Sequence, residues 1–122
     1  MNELEDLMAT MTGKERALFV PSGTMGNSIA LLTHCRPGDV VLVDEAQHLL
    51  RTEKVCFDGR FGQLKPALYR HGTEGFPDVE DVSRAIQEQH PKLLAMENTH
   101  NSAGGTCIPL SVLAHLRAIF PC

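Results

Sequence analysis

The segment "DVVLVD" at residues 39–44 constrains the fold most strongly. It is a continuous run of apolar, mostly β-branched side chains, and such runs are typical of parallel strands buried on both faces. Two more apolar runs, "ALFV" at residues 17–20 and "KLLAM" at residues 92–96, predict further strands. The segment "QLKPALYR" at residues 63–70 predicts an edge strand or a bend, because Pro66 cannot donate a ladder hydrogen bond.

Helical patterns alternate with these strands. In "NELEDLMATMTG" the apolar residues recur at the offsets of one helix face, and Gly13 fits a C-terminal cap. We predict further helices over "TMGNSIALLTHC", from about Gln47 to Phe57, over "DVEDVSRAIQEQH" with Asp78 as N-cap, and over "PLSVLAHLRAIF" with Ser111 as a candidate cap. The alternation predicts an α/β fold with a mostly parallel sheet, right-handed crossovers and flanking helices.

Composition narrows the class of protein. The chain has 122 residues, which suits one domain, and its 43% hydrophobic content can form a core. Its net charge of -4 gives no reason to expect a nucleic acid or an anionic membrane as partner, and no apolar run is long enough to span a bilayer. The scattered cysteines, Cys35, Cys56, Cys107 and Cys122, predict free buried thiols in a reducing compartment. We therefore expect a cytoplasmic protein, with mitochondria as the alternative if a leader has been lost.

Three polar segments follow predicted strands, at residues 21–26, 44–48 and 97–105. In open α/β sheets, ligands bind outside the carboxyl ends of the strands. These segments therefore predict a binding site where they meet.

The first segment contains Ser22, Gly23 and Thr24 at a predicted helix start. A helix N-terminus has unpaired N–H groups and a positive dipole end, so it can bind a phosphate, and glycine permits close approach. The alternative is an ordinary N-cap, which the tripeptide alone favours. Neither the Walker motif nor the dinucleotide-binding glycine pattern is present.

The other two segments each contribute a histidine. His48 could stack on an aromatic ligand or exchange a proton, or it could be a surface residue at a helix start. His100, in "ENTHN", could bond to a substrate hydroxyl, although a polar turn is the alternative. We interpret the remaining histidines, without strand-end context, as solvated or packing residues: His34, His71, His90 and His115. No histidine, cysteine and aspartate cluster has metal-ligand spacing, so we predict no metal site.

Taken together, "FVPSGTMGN", "RPGDVVLVDEAQH" and "AMENTHNSAGGTCIPL" resemble the low-specificity threonine aldolases, and the resemblance covers most of the chain. That family has the aspartate-aminotransferase-like fold of the fold type I pyridoxal-phosphate (PLP) enzymes. The resemblance implies that this chain is part of the PLP-binding large domain. It also implies a lyase that cleaves L-threonine or L-allo-threonine to glycine and acetaldehyde, in a homodimer or homotetramer.

The resemblance also implies residue roles. Ser22, Gly23 and Thr24 match the loop that holds the cofactor phosphate. His48 matches the histidine stacked over the pyridine ring, and His100 matches the histidine that contacts the β-hydroxyl group of the amino acid substrate.

The chain departs from the family in several places. The family's cofactor-attaching lysine lies in a Ser-Lys-Gly stretch, and none of Lys14, Lys54, Lys65 and Lys92 has that context. The family's Asp-Gly-Ala-Arg stretch is also missing, and residues 51–71 are more charged than expected.

We therefore expect residues 1–122 to form one incomplete large domain, without its N-terminal segment, lysine-bearing half and small domain. We expect it to be inactive alone. The alternatives are a non-enzymatic remnant that binds only a phosphate or a partner subunit, and an unrelated small α/β domain.

Overall fold

The computed structural model of the protein describes residues 2–120. Met1, Pro121 and Cys122 lie outside the described residues, so the free thiol predicted for Cys122 stays a prediction. Along the chain, the helices and strands are α1 (Asn2–Thr12), α2 (Gly23–His34), β1 (Val40–Asp44), β2 (Lys65–Tyr69), α3 (Val79–Gln89), β3 (Leu93–Leu94) and α4 (Leu110–Ile119). Three short helical turns connect them, at Leu49–Glu53, Val55–Phe57 and Asn101–Ala103.

The strands form one parallel sheet in the order β2-β1-β3. Val40 of β1 pairs with Lys65, and the register runs to Asp44 opposite Tyr69. On the other side, Val41 and Leu42 pair with β3. The sheet and its flanking helices confirm the predicted α/β class, and β2, which contains Pro66, lies at an edge as expected.

Alternate side chains of β1 contact two separate apolar layers. Val41 and Val43 pack with Leu31 of α2 and with Cys35, its C-terminal cap. Leu42 faces the opposite way, into a layer formed by β2, α3 and α4 through Ala67, Tyr69, Val82, Ala85 and Leu116. Because both faces of β1 are covered, Val41, Leu42 and Val43 are fully buried, which explains the unbroken apolar run.

Two predicted strands differ from the structure. Residues 17–20 form no strand, and Leu18 and Phe19 are exposed. The strand predicted at 92–96 is only Leu93–Leu94. A strand needs a neighbour for its backbone groups, and within residues 2–120 β3 pairs only with β1, while 17–20 pair with none.

The helix predicted from Gln47 to Phe57 is also broken. The chain instead forms a π-helical turn at Leu49–Glu53 and a 3-10 turn at Val55–Phe57. Between them Lys54 adopts a left-handed conformation with φ 55°, which ends a helical hydrogen-bond ladder.

The helix termini show which of the predicted caps are formed. Gly13 has φ 64° after α1, and Asp78 accepts hydrogen bonds at the start of α3, as predicted. Ser111 is not a cap, because α4 begins at Leu110, with Pro109 in the cap position. Proline suits this position, since its fixed φ directs the chain into the helix and no donor is lost. Among residues 2–120, no helix combines the length and apolar character needed to cross a bilayer.

Candidate functional site

A cavity of about 430 Å³ lies between α2 and the carboxyl ends of β1 and β3. Asn27 and Leu31 of α2 form one wall, and Gln47 and His48 form another. The segment after β3 closes it through Met96 and Glu97. Of the three polar segments predicted to form a site, 44–48 and 97–105 therefore line one cavity, whereas no residue of 21–26 lines it.

The Ser22-Gly23-Thr24 segment forms the N-terminus of α2. The Ser22 Oγ accepts a hydrogen bond from the Met25 backbone N–H at 3.2 Å, so Ser22 is the N-cap. The Ser22 carbonyl accepts from the Gly26 N–H at 3.1 Å. These bonds leave the N–H groups of Gly23 and Thr24 without a partner among the described residues. No atom lies within 4 Å of the position that a Cβ on Gly23 would occupy, so the terminus is open.

Glu53 lies against this helix terminus. Its carboxylate accepts from the Thr24 Oγ1 and from the Asn27 Nδ2, each at 3.1 Å. The His48 Nε2 lies 3.8 Å from the same carboxylate, so Glu53 joins the α2 terminus to His48. Glu53 is not among the predicted site residues, because it falls inside the helix predicted after His48. Glu53 follows His48 by five residues, and in the predicted α-helix this spacing would not place the two side chains next to each other. The observed segment is not an α-helix, so the two side chains can approach.

Glu97 connects the other two segments. One oxygen accepts from the His48 backbone N–H at 2.8 Å, and the other accepts from the Asn101 N–H at 3.0 Å. The Ser102 Oγ also donates to the Ala46 carbonyl at 3.0 Å. The backbone of the "ENTHN" loop is therefore fixed against the segment that carries His48, whose side chain is partly exposed and lines the cavity.

His100 does not line that cavity. It is only 2% exposed, and its Nε2 lies 3.4 Å from the Asp44 Oδ1 at the end of β1. The structure therefore brings Ser22, Gly23 and Thr24 near His48 but directs His100 towards a different group.

That group includes His71, which the sequence analysis interpreted as a residue without strand-end context. This interpretation was wrong: β2 ends at Tyr69, and the His71 Nδ1 lies 2.9 Å from the Asp44 Oδ2. The rings of His71 and His100 are 4.9 Å apart. The available signal was the "ALYRH" run itself, since a histidine two residues beyond a strand is placed at the same sheet edge as the others.

Close packing of two loops holds this group together. Short bridges close both loops, between His71 and Pro77 and between His100 and Thr106. Gly75 has φ 82°, and a Cβ there would lie 2.7 Å from the Thr106 Oγ1. Only glycine fits this position without displacing the second loop.

The thiols differ from one another. Cys35 and Cys56 are buried as predicted, and burial, aided by the Asp39 carboxylate, raises the pKa of the Cys35 thiol. Cys107 is exposed, which corrects the expectation that all four thiols are buried. It follows "AGGT" in a surface loop, where no apolar layer covers it.

Comparison with known proteins identifies the family. The model of the beta-eliminating lyase family matches residues 1–120. A low-specificity L-threonine aldolase of Arabidopsis thaliana is 37% identical over 115 residues, covering 86% of this chain and 31% of that protein. A low specificity L-threonine aldolase of Escherichia coli is 34% identical over 106 residues, covering 83% of this chain and 32% of that protein.

A third relative has a lower sequence identity. A 5-aminolevulinate synthase of Rhizobium meliloti is 30% identical over 103 residues, covering 83% of this chain and 24% of that protein. The chain thus spans about a third or less of the length of the curated relatives it matches. Since the family model covers nearly all of its residues, this chain belongs to the beta-eliminating lyase family.

Proposed function

We propose that the chain is the phosphate- and ring-binding part of a PLP-dependent lyase of the threonine aldolase type. Membership of the beta-eliminating lyase family and the similarity to low-specificity threonine aldolases support a PLP cofactor and an amino acid substrate. The observation that carries the proposal is the open N-terminus of α2, one helical turn before Asn27, which lines the same cavity as His48.

The residues at this terminus fit a phosphate group. The unpartnered N–H groups of Gly23 and Thr24 can donate to phosphate oxygens, and the positive end of the helix dipole favours an anion. The Ser22 hydroxyl can donate as well, since its oxygen accepts from Met25 and leaves its proton free. Glu53 opposes this, because its carboxylate lies beside Thr24. We infer that the phosphate binds on the Gly23 side of the terminus.

We infer the roles of His48 and His100 from the chemistry of the imidazole side chain. His48, partly exposed in the cavity wall, can stack on the pyridine ring. The cofactor, when bound, supplies an electron sink for the charge left on the substrate Cα as the Cα–Cβ bond breaks. His100 is proposed to accept the proton of the β-hydroxyl group of L-threonine or L-allo-threonine. Because His100 faces Asp44, this contact requires its side chain to turn towards the cavity.

A second candidate is binding without turnover. No lysine lines the cavity, and Lys14, Lys54, Lys65 and Lys92 are all exposed elsewhere on the described chain. With these residues alone, we expect reversible binding of PLP through its phosphate and no release of acetaldehyde from L-allo-threonine. Acetaldehyde release at enzyme-like rates from the purified chain would exclude this candidate.

Substitution of Gly23 tests the phosphate site. The Gly23→Ala variant should fold, because the added Cβ meets no protein atom within 4 Å and alanine favours helix. Equilibrium dialysis with PLP should show binding weakened by about tenfold or more, about 1.4 kcal/mol, because the methyl group blocks close approach of the phosphate. Binding of pyridoxal, which lacks the phosphate, should not change.

Gly59→Ala is the matched control, since Gly59 also has open space around it but lies in a different segment, between the Val55–Phe57 turn and β2. It should leave the affinity for PLP unchanged. Equal affinity of wild type and Gly23→Ala for PLP would refute the proposed phosphate site.

A further inference from the structure

A compact group of metal-ligating side chains lies at the carboxyl edge of the sheet. It consists of Asp44 at the end of β1, His71 just beyond β2 and His100 in the loop after β3. One ligand atom from each lies within 4.8 Å of the others. The sequence spacing concealed this group, because its members come from three separate strand ends.

The hydrogen bonding of this group is incomplete. Asp44 is fully buried, and its carboxylate accepts from the Ala46 N–H at 2.7 Å and contacts the His71 Nδ1. Both ring nitrogens of His100 are buried without a hydrogen-bond partner among the described residues, since its approach to Asp44 lacks hydrogen-bond geometry. A buried imidazole with two unpartnered nitrogens is costly in the absence of a ligand.

Two of the three distances between the ligand atoms suit a tetrahedral metal site. Metal–nitrogen distances of about 2.0–2.1 Å require neighbouring ligand atoms to be about 3.3–3.4 Å apart. The Asp44 Oδ1 lies 3.2 Å from the His71 Nδ1 and 3.4 Å from the His100 Nε2. Both distances from the Asp44 Oδ1 are therefore close to the ligand–ligand distance that a tetrahedral zinc site requires.

We propose that Asp44, His71 and His100 bind a zinc ion through Oδ1, Nδ1 and Nε2, respectively. Two imidazoles and one carboxylate are a common ligand set for Zn²⁺, and they leave a fourth position open. A cavity of about 450 Å³, lined by His71, Glu74 and Thr106, lies beside the site. The His71 side chain is 28% exposed, so the ion can enter from this cavity and water can fill the fourth position.

The charges favour a divalent cation. Among the described residues, the buried Asp44 carboxylate forms no ion pair with a lysine or arginine, and the basic side chains that pair with it within 4 Å are His71 and His100. A zinc ion would neutralise it and give each neutral imidazole a ligand. Bound zinc would also hold His100 away from the cavity that His48 lines, so zinc binding and the proposed contact of His100 with a substrate exclude each other.

Calorimetric titration of the metal-free chain with ZnSO₄ tests the site. We expect one tight Zn²⁺ site per chain in the wild type. Affinity should fall more than about tenfold in Asp44→Asn, His71→Gln and His100→Gln, since each removes a ligand. The controls His115→Gln, at an exposed helix position, and Cys107→Ser, at the exposed thiol, should bind as the wild type does.

Two further measurements make the result decisive. Zinc should raise the midpoint of thermal unfolding of the wild type but not of His71→Gln, whose partly exposed side chain makes it the variant best able to fold. Cobalt substitution should give visible absorption bands without a thiolate charge-transfer band. Unchanged zinc affinity in His71→Gln, or a thiolate band, would overturn the proposal. Gly23→Ala should leave zinc affinity unchanged, which separates this site from the proposed phosphate site.

Discussion

At the scale of a single residue, the buried position of Tyr69 changes the pKa of its phenol. It is 1% exposed at the end of β2, and its hydroxyl donates to the Ala95 carbonyl at 3.4 Å. Burial raises the pKa of its phenol well above the usual value of 10, and the Asp44 and Glu97 carboxylates add to the effect. The phenol therefore keeps its proton in the folded chain at pH values where it is lost from the unfolded chain.

Alkaline titration tests this description of Tyr69. It is the only tyrosine, and the chain has no tryptophan, so tyrosinate absorbance reports on it alone. Folded protein should develop this absorbance only well above pH 10, whereas protein unfolded in urea should do so near pH 10. Because the unfolded state loses the proton first, the free energy of unfolding should fall as the pH rises above about 10.

The Tyr69→Phe variant supplies the control for that titration. At neutral pH it should be less stable by about 1 kcal/mol, because the hydrogen bond to Ala95 is lost. It should not share the tyrosine-dependent loss of stability above pH 10. Ionisation of Tyr69 at the ordinary pKa in the folded chain would contradict the buried position.

At the scale of secondary structure, hydrogen bonds to the Asp78 and Asp81 carboxylates fix the start of α3. The Asp78 Oδ1 accepts from the backbone N–H groups of Glu80 at 3.0 Å and Asp81 at 3.1 Å. The Asp81 Oδ2 accepts from the Arg70 N–H at 2.7 Å, which joins the first turn of α3 to the segment after β2. Acidic residues in this turn also interact favourably with the helix dipole.

Removal of the cap should destabilise the protein measurably. We expect Asp78→Ala to reduce the free energy of unfolding by about 1 kcal/mol, because two N–H groups lose their acceptor. Asp78→Asn keeps a side-chain oxygen and should lose only a few tenths of a kcal/mol. Urea denaturation followed by circular dichroism measures both, and an equal loss in the two variants would rule out the capping bond as the cause.

At the scale of the whole molecule, β1 connects two apolar layers. Val41 and Val43 belong to the layer with α2, and Leu42 belongs to the layer with α3 and α4. The sheet has only three strands among the described residues, so β1 is the one strand covered on both faces and paired on both edges. The stability of either layer therefore depends on the same strand.

Truncation of Leu42 should weaken the whole fold. Leu42→Ala should cost about 2–5 kcal/mol, since it leaves a cavity in a fully buried position. Leu68→Ala, at an exposed position on β2, should change stability by less than about 0.5 kcal/mol. Far-ultraviolet circular dichroism and the absorbance of Tyr69 should report one shared transition. Separate transitions would mean that the two layers unfold independently.

Much of the fold could be predicted from local sequence. The caps of α1 and α3, the helix at α2 and the buried strand β1 each depend on short-range rules that the structure confirms. The secondary-structure predictions fail where contacts with distant segments decide the local structure. Residues 17–20 have strand-forming side chains but pair with no strand in the part of the chain that the structure describes. The segment after His48 is held by Glu53 and Glu97 in turns that no helical period predicts.

The sequence by itself determined that the polar segments after β1 and β3 would meet at one edge, because the carboxyl ends of parallel strands point the same way. It also determined the helix α2 with small polar residues at its start, although residues 17–20 before it form no strand. Only the tertiary structure decided the direction of each side chain. Close loop packing at Gly75 and the pairing of β2 with β1 turn His71 and His100 towards Asp44, because contacts between distant segments set those rotamers.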